Sequence, residues 1–204
     1  NNLDILMFNL ASDTEGVNNT ADFPFCISDT PQDGITCLDH NISEMGRFCP
    51  VWRYIYKRDF LDTNHIYCPE INMGEDVPYA FKSLLLAKKI LLVNEVYYHY
   101  RINPASLTGV STLKPIVLYE KCFLAARLVH DVMRYVPKSN DVLMRVFKNM
   151  IRSIIYMYPT YLAKMSQNDK EQFSQICRRH FINDLCLWRL MGRNMIPGCV
   201  PPEI

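Results

Sequence analysis

Residues 74–79 read Gly-Glu-Asp-Val-Pro-Tyr, which sets two adjacent carboxylates at the expected mouth of a helix. A carboxylate with an ordinary pKa of ~4 is ionised at neutral pH and can take a proton from a hydroxyl as a general base. Helix N-termini also favour anions and substrate oxygens. The same residues have a plain structural use. Asp76 can cap the helix, Glu75 suits the positive end of the helix dipole, and Gly74 permits a tight turn. Spacing alone leaves both readings open.

A second polar series runs from Tyr97 to Thr108: Tyr-Tyr-His-Tyr-Arg-Ile-Asn-Pro-Ala-Ser-Leu-Thr. A guanidinium pairs with phosphate oxygens in a bidentate fork, and neighbouring hydroxyls add donors. Arg101, Ser106 and Thr108 therefore make a candidate diphosphate clamp, with His99 beside it. The alternative is a strand whose polar face meets water, followed by a turn.

These residues need elements to position them. Val77, Ala80, Phe81, Leu84 and Leu85 recur on one helical face, so a helix is expected over 77–88, with Pro78 in its first turn. Ile90–Val93 and 96–102 read as two strands separated by an Asn94-Glu95 turn. On the second strand Val96, Tyr98, Tyr100 and Ile102 share one face, and Tyr97, His99 and Arg101 share the other. Residues 4–10 form an apolar run suited to an interior strand of a parallel sheet. Residues 11–41 read as a long loop with a short strand near 23–27, and loops beyond ~15 residues are often functional. Helices are expected over 116–135, 141–158 and 169–190, with Asn140 and Asn168 as N-caps. A boundary near residue 112 divides a mixed α/β part, 1–112, from a helical part, 113–204.

The chain has 204 residues, 49% apolar and 21% charged, enough to build a core. Its net charge of +1 offers no basic surface of the kind nucleic acid binding needs. The eight cysteines show no metal-ligand spacing and read as reduced thiols of a cytoplasmic protein. No apolar run approaches the ~20 residues of a membrane span. Residues 141–165 and 177–190 mix basic and apolar side chains. Such helices either pack on their own domain or lie on a membrane surface, here the inner face.

Taken in order, the segments resemble bacterial family 2 glycosyltransferases. The series is Val51-Trp52-Arg53-Tyr54-Ile55-Tyr56-Lys57-Arg58-Asp59-Phe60-Leu61, then Pro69, Glu75-Asp76, Ala87-Lys88-Lys89-Ile90, Tyr97 through Arg101, and Ser106-Leu107-Thr108. The resemblance implies the C-terminal part of a Rossmann-like GT-A domain followed by a helical subdomain. It implies a nucleotide-sugar donor, most commonly a UDP-sugar, and a glycan acceptor. Asp76 would be the catalytic base and Glu75 would help position the acceptor or the base. Arg101, Ser106 and Thr108 would hold the donor diphosphate, and His99 would approach the metal or the phosphates. Trp52 would line the sugar site, or else lie in the core. Arg53-Tyr54 stands where the family often has Asn-Lys.

The family holds a divalent metal, manganese or magnesium, with an Asp-x-Asp motif. No two aspartates here are separated by one residue. The 204 residues by themselves are expected to be inactive, with the donor-binding half lying upstream. The rival is a non-catalytic module, derived from the same scaffold, for interaction or membrane docking. A sheet cut at its first strands would bare an edge at residues 4–10, and bare edges invite dimerisation or strand exchange.

Overall fold

In the computed structural model the described residues are 2–14, 17–71, 74–101, 115–156, 165–172 and 175. The first strand, β1 (Ile5–Thr14), turns back into β2 (Val17–Thr20). Helix α1 (Gly34–His40), two 3-10 turns over Ile42–Phe48 and Val51–Arg53, and β3 (Tyr54–Tyr56) follow. After α2 (Arg58–Thr63) come α3 (Asp76–Leu86) and the long strand β4 (Ile90–Arg101). Helices α4 (Pro115–Val132) and α5 (Asp141–Tyr156) complete the described elements.

The sheet is mixed. β1 runs parallel to β4 on one side, and on the other it pairs antiparallel with β3 at Ile5–Met7 and with β2 at Ala11–Thr14. The interior placement of residues 4–10 agrees with their apolar run. At Ile5–Met7 both flanks of β1 are paired, so this stretch is not the bare edge expected there. Residues 11–41 are also more ordered than a loop. They hold the end of β1, all of β2 and α1, whereas 23–27 form no strand.

Residues 90–101 form one strand, not two. Leu92 to Val96 on β4 lies opposite Met7 to Asn9 on β1, so β4 bulges at Asn94-Glu95, the residues that suggested a turn. Asn9 fastens the bulge. It is 1% exposed, and its Nδ2 donates to Asn94 Oδ1 and to the Ala21 carbonyl, each at 2.8 Å. A bulge reconciles turn-like residues with continued pairing.

Helix α3 lays Ala80, Phe81, Leu84 and Leu85 into the core as its periodicity predicts. It stops where Asp4 takes over: Asp4 Oδ2 accepts from Lys88 N at 2.8 Å and Lys89 N at 3.0 Å, which starts β4 beside β1. Gly34 lets α1 approach α3, since a Cβ there would stand 1.6 Å from the Leu84 carbonyl oxygen. In α5, Leu143, Phe147 and Ile151 are fully buried, and the Phe147 ring meets Phe81 of α3 edge-on at 5.1 Å. The apolar stripe of α5 therefore lies in a hydrophobic cluster shared with the sheet. Asn140 caps α5, accepting from Leu143 N at 3.0 Å. At the helix that begins at residue 167 the cap is Ser166, not Asn168. Ser166 Oγ accepts from Asp169 N at 3.2 Å and donates to Asp169 Oδ2 at 2.7 Å, a reciprocal box. The boundary near residue 112 and most of 169–190 lie outside the described residues.

Candidate functional site around Asp76

Gly74 makes the approach to α3 possible. Its φ is +79°, which L side chains rarely adopt, and a Cβ would stand 3.0 Å from that of Ala125 in α4. The chain then turns into α3 without a side-chain cap: Glu75 takes the N-cap position in helical conformation and makes no capping bond. Asp76 does not cap the helix either. It is the first helical residue and makes no capping bond, and the backbone N–H of Val51 on the neighbouring turn lowers its pKa.

Burial raises the Asp76 pKa above the ordinary carboxylate value, the adjacent Glu75 raises it further, and the Val51 N–H partly offsets both. Asp76 is half-buried, not locked in the core. The thiols and the phenol around it are held neutral. Burial, with Asp76 nearby, pushes the Cys49 thiol up to about 11. Tyr56 is raised by burial first, then by Tyr79 and Asp76. Cys68 is raised by burial, then by Glu75 and Asp76. Two buried polar atoms beside the carboxylate, Glu75 Oε2 and Tyr56 Oη, have no hydrogen-bond partner among the described residues.

A cavity of about 740 Å³ adjoins this cluster, lined among others by Val51, Tyr56, Tyr67, Cys68 and Tyr79. Tyr79 is one helical turn beyond Asp76, on the same side of α3. Its ring meets Tyr56 edge-on at 5.5 Å. Of these wall residues the sequence reading singled out none for a site, although the i, i+3 spacing of Asp76 and Tyr79 was a usable signal. Tyr67 and Cys68 carry no local pattern.

Trp52 is half-buried and stacks on Tyr98 at 5.0 Å, with Tyr100 at 5.4 Å. Val51 and Trp52 thus link the Asp76 carboxylate to one face of β4. His99 and Arg101 are exposed and alternate to the other face. The structure brings Trp52, Glu75 and Asp76 together, and it places His99 and Arg101 across the strand from them. Ser106 and Thr108 lie outside the described residues. Arg53, at the position where the resembled family often has Asn, is 5% exposed under Phe23 and Phe25 and faces no cavity described here.

No cluster of three or more His, Cys, Asp or Glu side chains able to hold a metal occurs among the described residues. No helix among the described residues is long and apolar enough to cross a membrane.

No protein-family model matches the chain. Over 61 residues, 29% of this chain and 18% of the other, it is 34% identical to the uncharacterized glycosyltransferase EpsJ of Bacillus subtilis (strain 168). The likeness in sequence is to a glycosyltransferase. In fold the chain is similar to S. aureus TarS 1–349 in complex with UDP-GlcNAc. The TM-score is 0.54 at 15% identity, over 87% of this chain and 48% of that one. Against TarS 1–349 with UDP it is 0.52 at 15% identity, over 94% and 51%. This chain therefore spans about half the length of TarS 1–349. TarS binds UDP-GlcNAc and UDP in those crystals.

Proposed function

We propose that this chain forms the acceptor side of an inverting, family 2-like glycosyltransferase of GT-A fold, which moves a sugar from a nucleotide donor, a UDP-sugar, to a glycan acceptor. The observation that carries the reading is the Asp76 carboxylate. Its pKa is raised by burial and by Glu75, and its neighbours Val51, Tyr56, Cys68 and Tyr79 line one cavity. A base works best when its pKa moves toward the working pH, so the environment of Asp76 suits proton abstraction.

In the proposed step the acceptor hydroxyl oxygen attacks the anomeric carbon from the side opposite the leaving group. The bond from that carbon to the diphosphate oxygen breaks, and its electron pair leaves with the nucleoside diphosphate. The acceptor proton passes to Asp76. Glu75 Oε2 and Tyr56 Oη, buried without partners among the described residues, would bond acceptor hydroxyls and orient them. The resemblance assigns the departing diphosphate to Arg101, Ser106 and Thr108 with His99 near it, although His99 and Arg101 alternate to the face of β4 away from Trp52 and Asp76. That part of the reading rests on the sequence resemblance, the exposure of Arg101 and His99, and the nucleotide bound to TarS.

The donor-binding half belongs to residues outside this chain, so these 204 residues alone should transfer nothing. The test is transfer from UDP-sugars by the protein bearing both donor and acceptor sides, with Asp76 and with Asp76→Asn. The expected loss is ~100- to 10,000-fold, the usual share of general base catalysis. Equal rates would remove Asp76 from the mechanism.

A further inference from the structure

The cavity beside Asp76 does not end at Tyr79. A second cavity, of about 320 Å³, continues along α3 to Lys82 and across to Asp131 at the end of α4 and Arg134 just beyond it. Tyr67, Cys68 and Tyr79 line both cavities. Tyr67 is 65% exposed, unusual for a large aromatic ring, and it stands at the junction. Each cavity is of a size that holds small molecules, ~300–1,000 Å³. From Asp76 to Lys82 the helix rises ~9 Å at 1.5 Å per residue, further than one sugar ring reaches.

We infer that the acceptor is a linear oligosaccharide that runs from Asp76 over Tyr67 into the α3–α4 cavity, with Tyr67 as the platform for a sugar unit remote from the reacting hydroxyl. The inference rests on the acceptor-side reading above and deepens it. The chemistry of the groove fits a sugar chain. Tyr67 and Tyr79 offer rings to the C–H faces of pyranoses, and a tyrosine joins an apolar body to a polar tip. Lys82, Asp131 and Arg134 supply donors and acceptors for hydroxyls around the second cavity. Cations and a carboxylate stand there together, which suits a neutral polyhydroxylated chain better than a uniformly charged one. A monosaccharide would fill the first cavity and leave the exposed Tyr67 ring and the second cavity unused.

Cys68, exposed in the shared wall, is a built-in reporter. The 204-residue chain is treated with iodoacetamide in the presence of chito- and cello-oligosaccharides of one to four units, at equal concentration of sugar units. Alkylation is read separately at Cys68 and at Cys26, which is exposed but lines neither cavity. The expected result is slowing at Cys68 by ten-fold or more with tetramers of at least one series, little slowing with monomers, and no change at Cys26. Tyr67→Ala, at a position 65% exposed, should abolish the protection. Protection by no oligomer, equal protection by monomers, or full protection in Tyr67→Ala overturns the inference. Asp76→Asn separates it from the reading beneath it. Protection that survives in that variant while its transfer rate is normal removes the base and keeps the groove. Lost transfer in that variant, with no oligomer protection in the unsubstituted chain, keeps the base and removes the groove.

Discussion

Asp76 stands against Val51, whose backbone N–H lowers the carboxyl's pKa, so the start of α3 lies beside the turn that carries Trp52. That position leaves the acid partly desolvated and next to a second acid. Its pKa is raised in the folded chain, so ionised Asp76 opposes folding at neutral pH. The sign follows from linkage: the folded state holds the proton more tightly, and the penalty is absent below the unfolded pKa of ~3.9 and fully present once pH exceeds the folded value.

Asp76→Asn should therefore be slightly more stable than the parent at pH 7. The amide keeps the shape while the charge is gone. Half-exposure screens the effect, so the gain in Tm should be on the order of 1–3 °C. It should shrink as the pH falls through the raised folded pKa and the parent's carboxyl takes up its proton. Melting curves across the acid range test it, and a variant less stable at pH 7 would show that the charge stabilises this turn.

Gly74→Ala should cost about 1–3 kcal/mol. The φ of +79° penalises any side chain, and the new Cβ would press on Ala125 at 3.0 Å. Because Gly74 leads directly into Glu75 and Asp76, the strain would be relieved by shifting the start of α3. Urea unfolding measures the cost. An unchanged midpoint would mean that the left-handed turn is not needed to seat α3 against α4.

Trp52→Ala should destabilise by about 1–3 kcal/mol, since it removes a half-buried ring and two aromatic contacts on β4 worth ~0.5–1.5 kcal/mol each beyond their burial. Trp52→Phe should recover most of the loss. One face of Trp52 is already covered by Tyr98, so its main task is to hold the Val51–Trp52 turn against the sheet. If Trp52→Ala were as stable as the parent, the stack would not be what fixes that turn.

How much of this was legible in the chain depends on the range of the interaction. The buried face of α3 follows from local periodicity and appears as expected. The apolar run at residues 4–10 is an interior strand for the same reason. Asn94-Glu95 misled because turn-type residues also suit a bulge, and only the partner strand decides between them. The bare edge was expected because a local reading could not tell that β3, some fifty residues on, closes one side of β1. At the site, the acids and Trp52 could be singled out by type. Val51, Tyr67 and Tyr79 join them only through tertiary packing, and Asp76 looked like a cap because its neighbour Val51 lies 25 positions away.

Arg53 supplies the strongest mismatch between burial and charge. Its side chain is 5% exposed, yet its partners are weak: a bond to the Arg47 carbonyl at 3.5 Å, and the rings of Phe25 and Phe23 at 5.4 and 5.9 Å. Nε has no partner among the described residues, and burial lowers the guanidinium's pKa. Desolvating a cation costs several kcal/mol, while contacts with two rings return at most about 2 kcal/mol apiece, and less at these distances. Desolvation should win or break even. Arg53→Met keeps the length and apolar stem, so its stability should be unchanged or raised by roughly 0–2 kcal/mol. Guanidinium chloride unfolding of the two chains decides it. A loss above about 2 kcal/mol would mean that the ring contacts outweigh the buried charge, and would make Arg53 a fastener of the Phe23–Phe25 segment.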